Sequence, residues 1–529
     1  MTSDFDVIVI GSGPAGVSVA FPLVESGLRV LMVDGGKKSD VPLPTTNFLS
    51  ARTKDAEQWK WLIGKDFHAL KMRDVVSPKL RVPSQGYVFD EFEQYNKIIG
   101  KNFNIFGSLA TGGLSNAWGC GVSRFSGKDM TAFPFPESDL EPSYAEVCQR
   151  VGISGGMGDD LSDYFGLDKY THQPSIPMDS LHARISQCYD RRRKKFHSRG
   201  FRMGRPRVTV FTKDAPERQA CDYSGNCLWG CRLHSLYSSA DDLPKLRQFK
   251  NFSEMSGFVV DGLKNNDGIW FVEGQNIVDH ERKSIQATRV VLAAGTLATT
   301  RLTLKALNFR SSVRLLSCPT AAFLLWLPSS LGAAKEPGFG LAQLSFTLAL
   351  RENITVFGST FPTTSLLRSE FVRHVPLQRR YAIDLLKGLM SSCVVGNLFL
   401  PGHLTTAEAR LNEEDSLVVT GRYSDEVLPL MEETKKKLRR IYWRLGALLL
   451  PDGFTIASPG ADIHYAGTLP MQKSPRIGET SQLGEVASLD GLYVVDGACL
   501  PCLPGKSHTL TIMANANRIG VALAKRLKS

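Results

Sequence analysis

The stretch "DFDVIVIGSGPAGVSVAFPLVESGLRVLMVD", residues 4 to 34, constrains the fold more than any other part of the chain. It reads as an apolar strand, a glycine turn, a helix and a second strand. Gly11, Ser12, Gly13, Pro14, Ala15 and Gly16 form G-x-G-x-x-G directly after "VIVI". The first glycine permits the tight turn, the second lets the backbone approach a pyrophosphate, and the third lets helix and strand pack closely. The pyrophosphate then rests on the positive helix N-terminus. Asp34, followed by Gly35, ends the second strand where an acid accepts ribose hydroxyls. The unit predicts an α/β, Rossmann-type domain that binds a dinucleotide, and alone it leaves FAD and NAD both open. Pro22 costs the helix a hydrogen bond, about 3 kcal/mol, and predicts a kink or distortion there.

Two further segments bear on the cofactor. "ATRVVLAAGTLATTRLTLKAL", residues 287 to 307, is another apolar strand, small-residue turn and helix. Near the far end, "DGLYVVDGACLPCLPGKSHTLTIMANANR" carries a strand ending at Asp496-Gly497 into a last helix. A second Asp-Gly there suits an extended dinucleotide held from both ends of the chain, which favours FAD.

With these segments in place the chain resembles the glucose–methanol–choline (GMC) oxidoreductases, FAD-dependent alcohol oxidases and dehydrogenases. The likeness covers the N-terminal unit, "GSLATGGLSNAWGCGVSRF" at 107 to 125, "FPFPESDLEPSYAEV", residues 287 to 307 and about the last 70 residues. It implies an FAD-binding Rossmann-type domain with an interleaved substrate domain built on an antiparallel sheet. The expected division is 1–45, 95–125, 215–310 and 455–529 for FAD, and 46–94, 126–214 and 311–454 for substrate. Gly112, Gly113, Ser115, Asn116, Trp118 and Gly119 join the cofactor-binding residues, with His508, Thr509 and Leu510 from the start of the last helix. "GGLSNAWGCGVSRF" looks nearest to the pyranose-oxidase branch, whose histidine can bond covalently to the flavin. Here that place is Ala117, which implies a flavin held non-covalently.

The same resemblance gives His464, in "ADIHYAGTLPM", and His508, in "GKSHTLT", as a catalytic pair. Alcohol oxidation removes a proton from oxygen and a hydride from carbon. An alcohol proton has a pKa near that of water, about 15.7, against about 6.5 for imidazole. A free alkoxide would therefore cost about 12 to 13 kcal/mol, out of a barrier of about 16 for a turnover near ten per second. Either the alkoxide is stabilised as it forms, or proton and hydride leave nearly together. His464 is assigned as general base, and His508 as the group that orients the hydroxyl-bearing carbon toward flavin N5.

Cys221, Cys227 and Cys231 stand in C-x5-C-x3-C spacing with His234 close behind. Some GMC sugar dehydrogenases hold an iron–sulfur cluster with cysteines so spaced. A Cys3His zinc site and plain packing of three thiols are the other readings.

Of the net charge of +11, ten positive charges fall between Arg191 and Lys213, a stretch without an acid. A solvated surface is one reading; attraction to a phosphorylated glycan or an anionic membrane face is the other. No aromatic interleaving accompanies the charges, so nucleic acid is not expected. Residues 366–390 and 432–450 read as basic amphipathic helices, either ordinary surface helices or membrane-resting ones. "FGLAQLSFTLAL", "NITVFGSTF", "SCVVGNLFL" and "DSLVVTGRY" read as antiparallel strands roofing the flavin.

The N-terminus shows no basic n-region or small-residue cleavage site, and no apolar run reaches the roughly 18 residues that span a bilayer. The expectation is a cytoplasmic protein, with peripheral membrane contact left open. The reading is an FAD-dependent oxidoreductase acting on CH–OH, passing electrons to oxygen or another carrier. The expected substrate is a sugar or sugar-bearing metabolite, and a steroid, terpenoid or other apolar alcohol is the alternative. A non-catalytic FAD-fold lipid or prenyl carrier is the reading from another class.

Overall fold

The computed structural model describes residues 4–64, 66–71, 77–215, 218–364, 366, 369–372 and 375–529. The apolar run Phe5–Ile10 forms the central strand of a seven-stranded sheet, with buried Val7, Ile8 and Val9. Val30–Asp34 and Phe252–Ser256 extend the sheet in parallel on one side. Arg282–Leu292 pairs in parallel on the other side and carries Leu492–Val494 beyond it. Ile269–Asn276 and Phe258–Asn266 add an antiparallel extension. The strands Phe5–Ile10, Val30–Asp34 and Leu492–Val494 are mostly apolar and buried, as strands covered on both faces are.

The helix Pro14–Glu25 crosses from the first strand to the second and runs on past Pro22 without interruption. It lies against the last helix, Thr509–Lys528, where Gly520 makes room for the Pro22 ring: a Cβ at Gly520 would come within 2.7 Å of Pro22 Cγ. The distortion expected at Pro22 thus does not end the helix.

A six-stranded antiparallel sheet forms the second layer, in the order Leu448–Ile456, Thr320–Trp326, Cys393–Phe399, Ile354–Pro362, Leu344–Arg351 and Phe201–Gly204. Three of the expected strands belong to it. The fourth, Leu417–Tyr423, does not; it pairs with Thr405–Leu411 and Ile98–Lys101 in a separate five-stranded sheet. Alternation shows which face of a strand is buried, but not the sheet it joins. That five-stranded sheet ends at Tyr465–Ala466 and so ties the segment around His464 to the body.

The basic stretch 191–213 is divided by the fold. Arg207 is fully buried, bonded to Asp159 and Asp168, and Arg193 pairs with Asp160 and Asp190. The stretch is therefore not one continuous anion-attracting surface. Of residues 432–450, 432–444 form the end of the helix Val427–Arg444, Gly446 (φ +83°) turns the chain, and 448–450 open the strand Leu448–Ile456. Within 366–390 the described helices are Ser369–Val372 and Arg379–Leu389, and residues 367, 368, 373 and 374 lie outside the described residues. Among the described residues no helix is long and apolar enough to cross a membrane.

Candidate active site

The three glycines of the first turn have separate structural reasons. A Cβ at Gly11 (φ +107°) would sit 2.3 Å from the Ala293 carbonyl oxygen, and one at Gly16 only 1.9 Å from that of Gly11. A Cβ at Gly13 would meet nothing within 4 Å. The first and third therefore let backbone pack on backbone, while the second faces an open space. That space is part of a cavity of about 1360 Å³ running from the glycine turn to the antiparallel sheet. It is larger than the ≈ 300–1,000 Å³ of an ordinary ligand pocket, which suits a cofactor and a substrate side by side.

Ser12, Gly13, Pro14, Ala15, Asp34, Gly35, Gly113, Ser115, Trp118, Gly119, Asp496, Gly497, His508 and Thr509 line this cavity with Gly11. Asp34 is buried, which raises its pKa, and its two oxygens accept hydrogen bonds from Ser12 Oγ and Ser256 Oγ (3.1 Å). Each oxygen keeps a second acceptor position for a ribose hydroxyl. Asp496 accepts from the backbone N–H groups of Gly295 (2.9 Å) and Ala498 (3.0 Å). Burial still pushes its pKa up to about 6.

Four of the expected cofactor residues stand behind the wall rather than on it. Gly16 packs, as described. Gly112 donates its N–H to Ser12 Oγ (2.9 Å). Asn116 spends its amide on Thr111 and Gly113 carbonyls and accepts from Ser238, bracing the turn. Leu510 is fully buried in the core.

The two histidines come together. Their ring centroids are 5.0 Å apart and nearly perpendicular, and both line the cavity. His508 precedes the last helix, and its side chain makes no capping bond to the helix backbone. The Nδ1 atoms of both rings are buried without a hydrogen-bond partner. Both rings border one void and keep hydrogen-bonding capacity that the protein does not use, which suits them to a bound hydroxyl. Burial lowers the His464 pKa to about 4; burial and then the neighbouring His464 hold His508 well below the usual histidine range. Both rings are thus neutral at physiological pH, the state a proton acceptor needs. Substrate-driven reduction should therefore be flat from about pH 6 upward. It should fall with unit slope only as pH drops through about 4, where His464 protonates. A stopped-flow pH profile checks this; a limb near pH 6.5 would contradict the buried pair.

Residues that the sequence reading did not single out set the position of His464. Ile463 has φ +60°, a left-handed conformation unusual for a β-branched side chain. The Asp462 carboxylate secures the turn by accepting from the N–H groups of His464 (3.2 Å) and Cys318 (2.7 Å) and from Ser317 Oγ (2.7 Å). Burial pushes Asp462 up to about 7 despite these bonds. Phe399 lies against the His464 ring at 4.8 Å between centroids. Asp462 was visible in sequence two places before His464; the strain at Ile463 left no sequence signal.

None of the three spaced cysteines lines this cavity; Cys221 and Cys227 pack against a small cluster with Cys120, Val208 and Phe339. Among the described residues, Cys318, Asp462 and His464 are the group whose metal-ligating atoms all fall within 4.8 Å of one another. Cys221, Cys227 and Cys231 are not gathered so closely. Burial raises the thiol pKa of Cys227 and that of Cys221, the latter to about 11, and Cys227 Sγ accepts from the Gly340 N–H (3.4 Å). His234 is turned to Asp241 (2.9 Å).

A parallel nucleotide sheet, a glycine cradle and a histidine pair beneath an antiparallel roof define a flavoprotein oxidoreductase. Residues 454–516 match the family model of GMC oxidoreductase, and residues 5–104 that of pyridine nucleotide-disulphide oxidoreductase. A solved structure of a variant of Aspergillus oryzae RIB40 formate oxidase is similar over 100% of both chains, with a TM-score of 0.64 and 13% sequence identity. No curated protein sequence matches. The chain is an FAD-dependent oxidoreductase that is similar to the GMC oxidoreductases over residues 454–516.

Proposed function

We propose that the protein oxidises the hydroxyl of an apolar alcohol, with His464 as proton acceptor and His508 as its orienting partner. The observation that carries the substrate class is how the roof meets the cavity. Phe323, Leu324, Phe361, Leu386, Leu389 and Val395 line it. Three of the roof's hydroxyls on the cavity are already used: Ser345 and Ser359 bond each other (2.9 Å), and Thr320 donates to the Leu398 carbonyl (2.8 Å). Only Asn397 Oδ1, among the polar groups of that sheet on the cavity, is buried and unpartnered. A sugar would bring several hydroxyls into this space, each costing roughly 1–3 kcal/mol if left unpaired. A hydrophobic body with one reacting hydroxyl, and at most one further donor for Asn397, fits better. The lining thus favours the second of the two substrate classes read from the sequence.

The glycine turn, Asp34 and the Asp496–Gly497 segment would hold FAD, and Ala117 on the cavity wall supports a non-covalent attachment. Bound FAD supplies the two-electron acceptor for the hydride. The neutral His464 ring takes the hydroxyl proton, and its burial among Phe399 and His508 keeps water from competing for that position. His508 holds the same oxygen from a second direction. The start of the last helix adds about half a positive charge beside the forming oxyanion.

An anaerobic screen tests the proposal. Sterols, terpenols and long-chain alcohols should bleach the flavin, whereas free sugars and formate, the latter the substrate of the structural neighbour, should not. Bleaching by sugars alone would overturn the substrate class. Admission of air then separates oxygen from another electron acceptor.

A further inference from the structure

The helix Arg379–Leu389 has two apolar faces, and only one is used by the fold. Ala382, Leu386 and Leu389 face inward, with Leu386 in a cluster with Met390 and Cys393. Tyr381 and Leu385, one turn apart on the other face, are 59% and 47% exposed, and Leu377, just ahead of the N-cap Gln378, is 53% exposed. Arg379 and Arg380 are exposed beside it and make no ion pair among the described residues; Lys387 shares its charge with Asp384 at 3.2 Å. Leu385 connects the two faces: it is exposed, and it also lines the cavity with Pro376, Leu386 and Leu389.

From this geometry we infer that the Leu377–Tyr381–Leu385 stripe docks on an anionic lipid bilayer, with the cavity mouth opening directly onto the membrane. Each part of the surface has a counterpart in the bilayer. The apolar stripe enters the boundary between headgroups and acyl chains, as amphipathic interfacial helices do. The two unpaired arginines meet anionic headgroups, which attract basic side chains within a Debye length of the surface. The Tyr381 ring is suited to that interface by its apolar body and polar tip. Because the same helix forms the cavity lip, an apolar alcohol could pass from lipid to the histidine pair without crossing bulk water. Docking stands on the helix alone; substrate delivery rests on the apolar-alcohol reading above.

Flotation of the FAD-loaded protein with vesicles tests the inference. The wild type should float with phosphatidylcholine vesicles containing about a third phosphatidylserine, and much less with phosphatidylcholine alone. The double variant Leu377→Glu/Tyr381→Glu should lose about tenfold in the vesicle-bound fraction, since its charges enter the apolar boundary. Neither residue lines the cavity, so bleaching by a detergent-dispersed alcohol should stay within about twofold of wild type. Arg379→Glu/Arg380→Glu should abolish the preference for anionic vesicles and leave the apolar stripe intact. Absence of wild-type flotation, or undiminished flotation of the Leu377/Tyr381 variant, would overturn docking. So would self-association through the stripe without vesicle binding. Flotation with bleaching by sugars alone would keep the docking surface and remove the substrate reading; bleaching by apolar alcohols without flotation would do the reverse.

Discussion

Replacing His464 with alanine should leave a folded, yellow protein whose flavin is reduced by substrate at least about a hundredfold more slowly, the usual scale of lost acid–base catalysis. Two features of the site separate this outcome from general damage. The turn that carries His464 is held through its backbone, by Asp462 and by the pairing of Tyr465–Ala466 with Leu316 and Ser317, and these bonds do not involve the imidazole. The imidazole itself makes no structural hydrogen bond through Nδ1. The neighbouring imidazole, His508, is assigned to orient the hydroxyl, and burial and the adjacent His464 hold its pKa well below the usual histidine range. Anaerobic stopped-flow measurement of flavin bleaching checks the prediction. An unchanged rate would remove His464 from the role of base.

Gly13→Ala and Gly16→Ala should differ in kind although they alter neighbouring turns of the same motif. At Gly16 the new methyl would stand 1.9 Å from the Gly11 carbonyl oxygen, closer than any side-chain displacement could relieve. Backbone would have to separate from backbone, so that variant should lose soluble, flavin-loaded protein altogether. At Gly13 the methyl has open space around it. That variant should fold, but its methyl would occupy the approach reserved for the pyrophosphate. Its FAD affinity should fall by about tenfold or more, at 1.4 kcal/mol per decade. Flavin-to-protein absorbance ratios, and titration of the apoproteins with FAD, distinguish the two. Full loading of Gly16→Ala would contradict the close backbone approach.

The nucleotide unit was legible because each of its requirements leaves a residue. A turn needs Gly11, a close contact needs Gly16, and buried parallel strands need continuous apolar runs such as "VIVI". The histidine pair was legible only through the family's pattern; nothing local in "ADIHYAG" or "GKSHTLT" says that residues 44 apart meet across 5.0 Å. Other features depend on distant partners and were hidden for that reason. Arg207 looked like part of a solvated basic run, but Asp159 and Asp168 take it into the interior. "DSLVVTGRY" has the right alternation for the roof, yet the neighbouring Ile98–Lys101 draws it into another sheet. Asn116 and Leu510 sit in motifs that touch the cavity, while their own side chains point to bracing and core.

The contact between Pro22 and Gly520 joins the first helix to the last, almost five hundred residues later. During synthesis, the glycine turn leaves the ribosome long before its partner helix exists, and one of the two imidazoles belongs to that late segment. The packing between the two helices is therefore completed only when translation is nearly finished. A nonsense change ahead of the final helix should release a polypeptide with an intact nucleotide motif but without the helix that packs on it, and without His508 and Thr509 of the cavity wall.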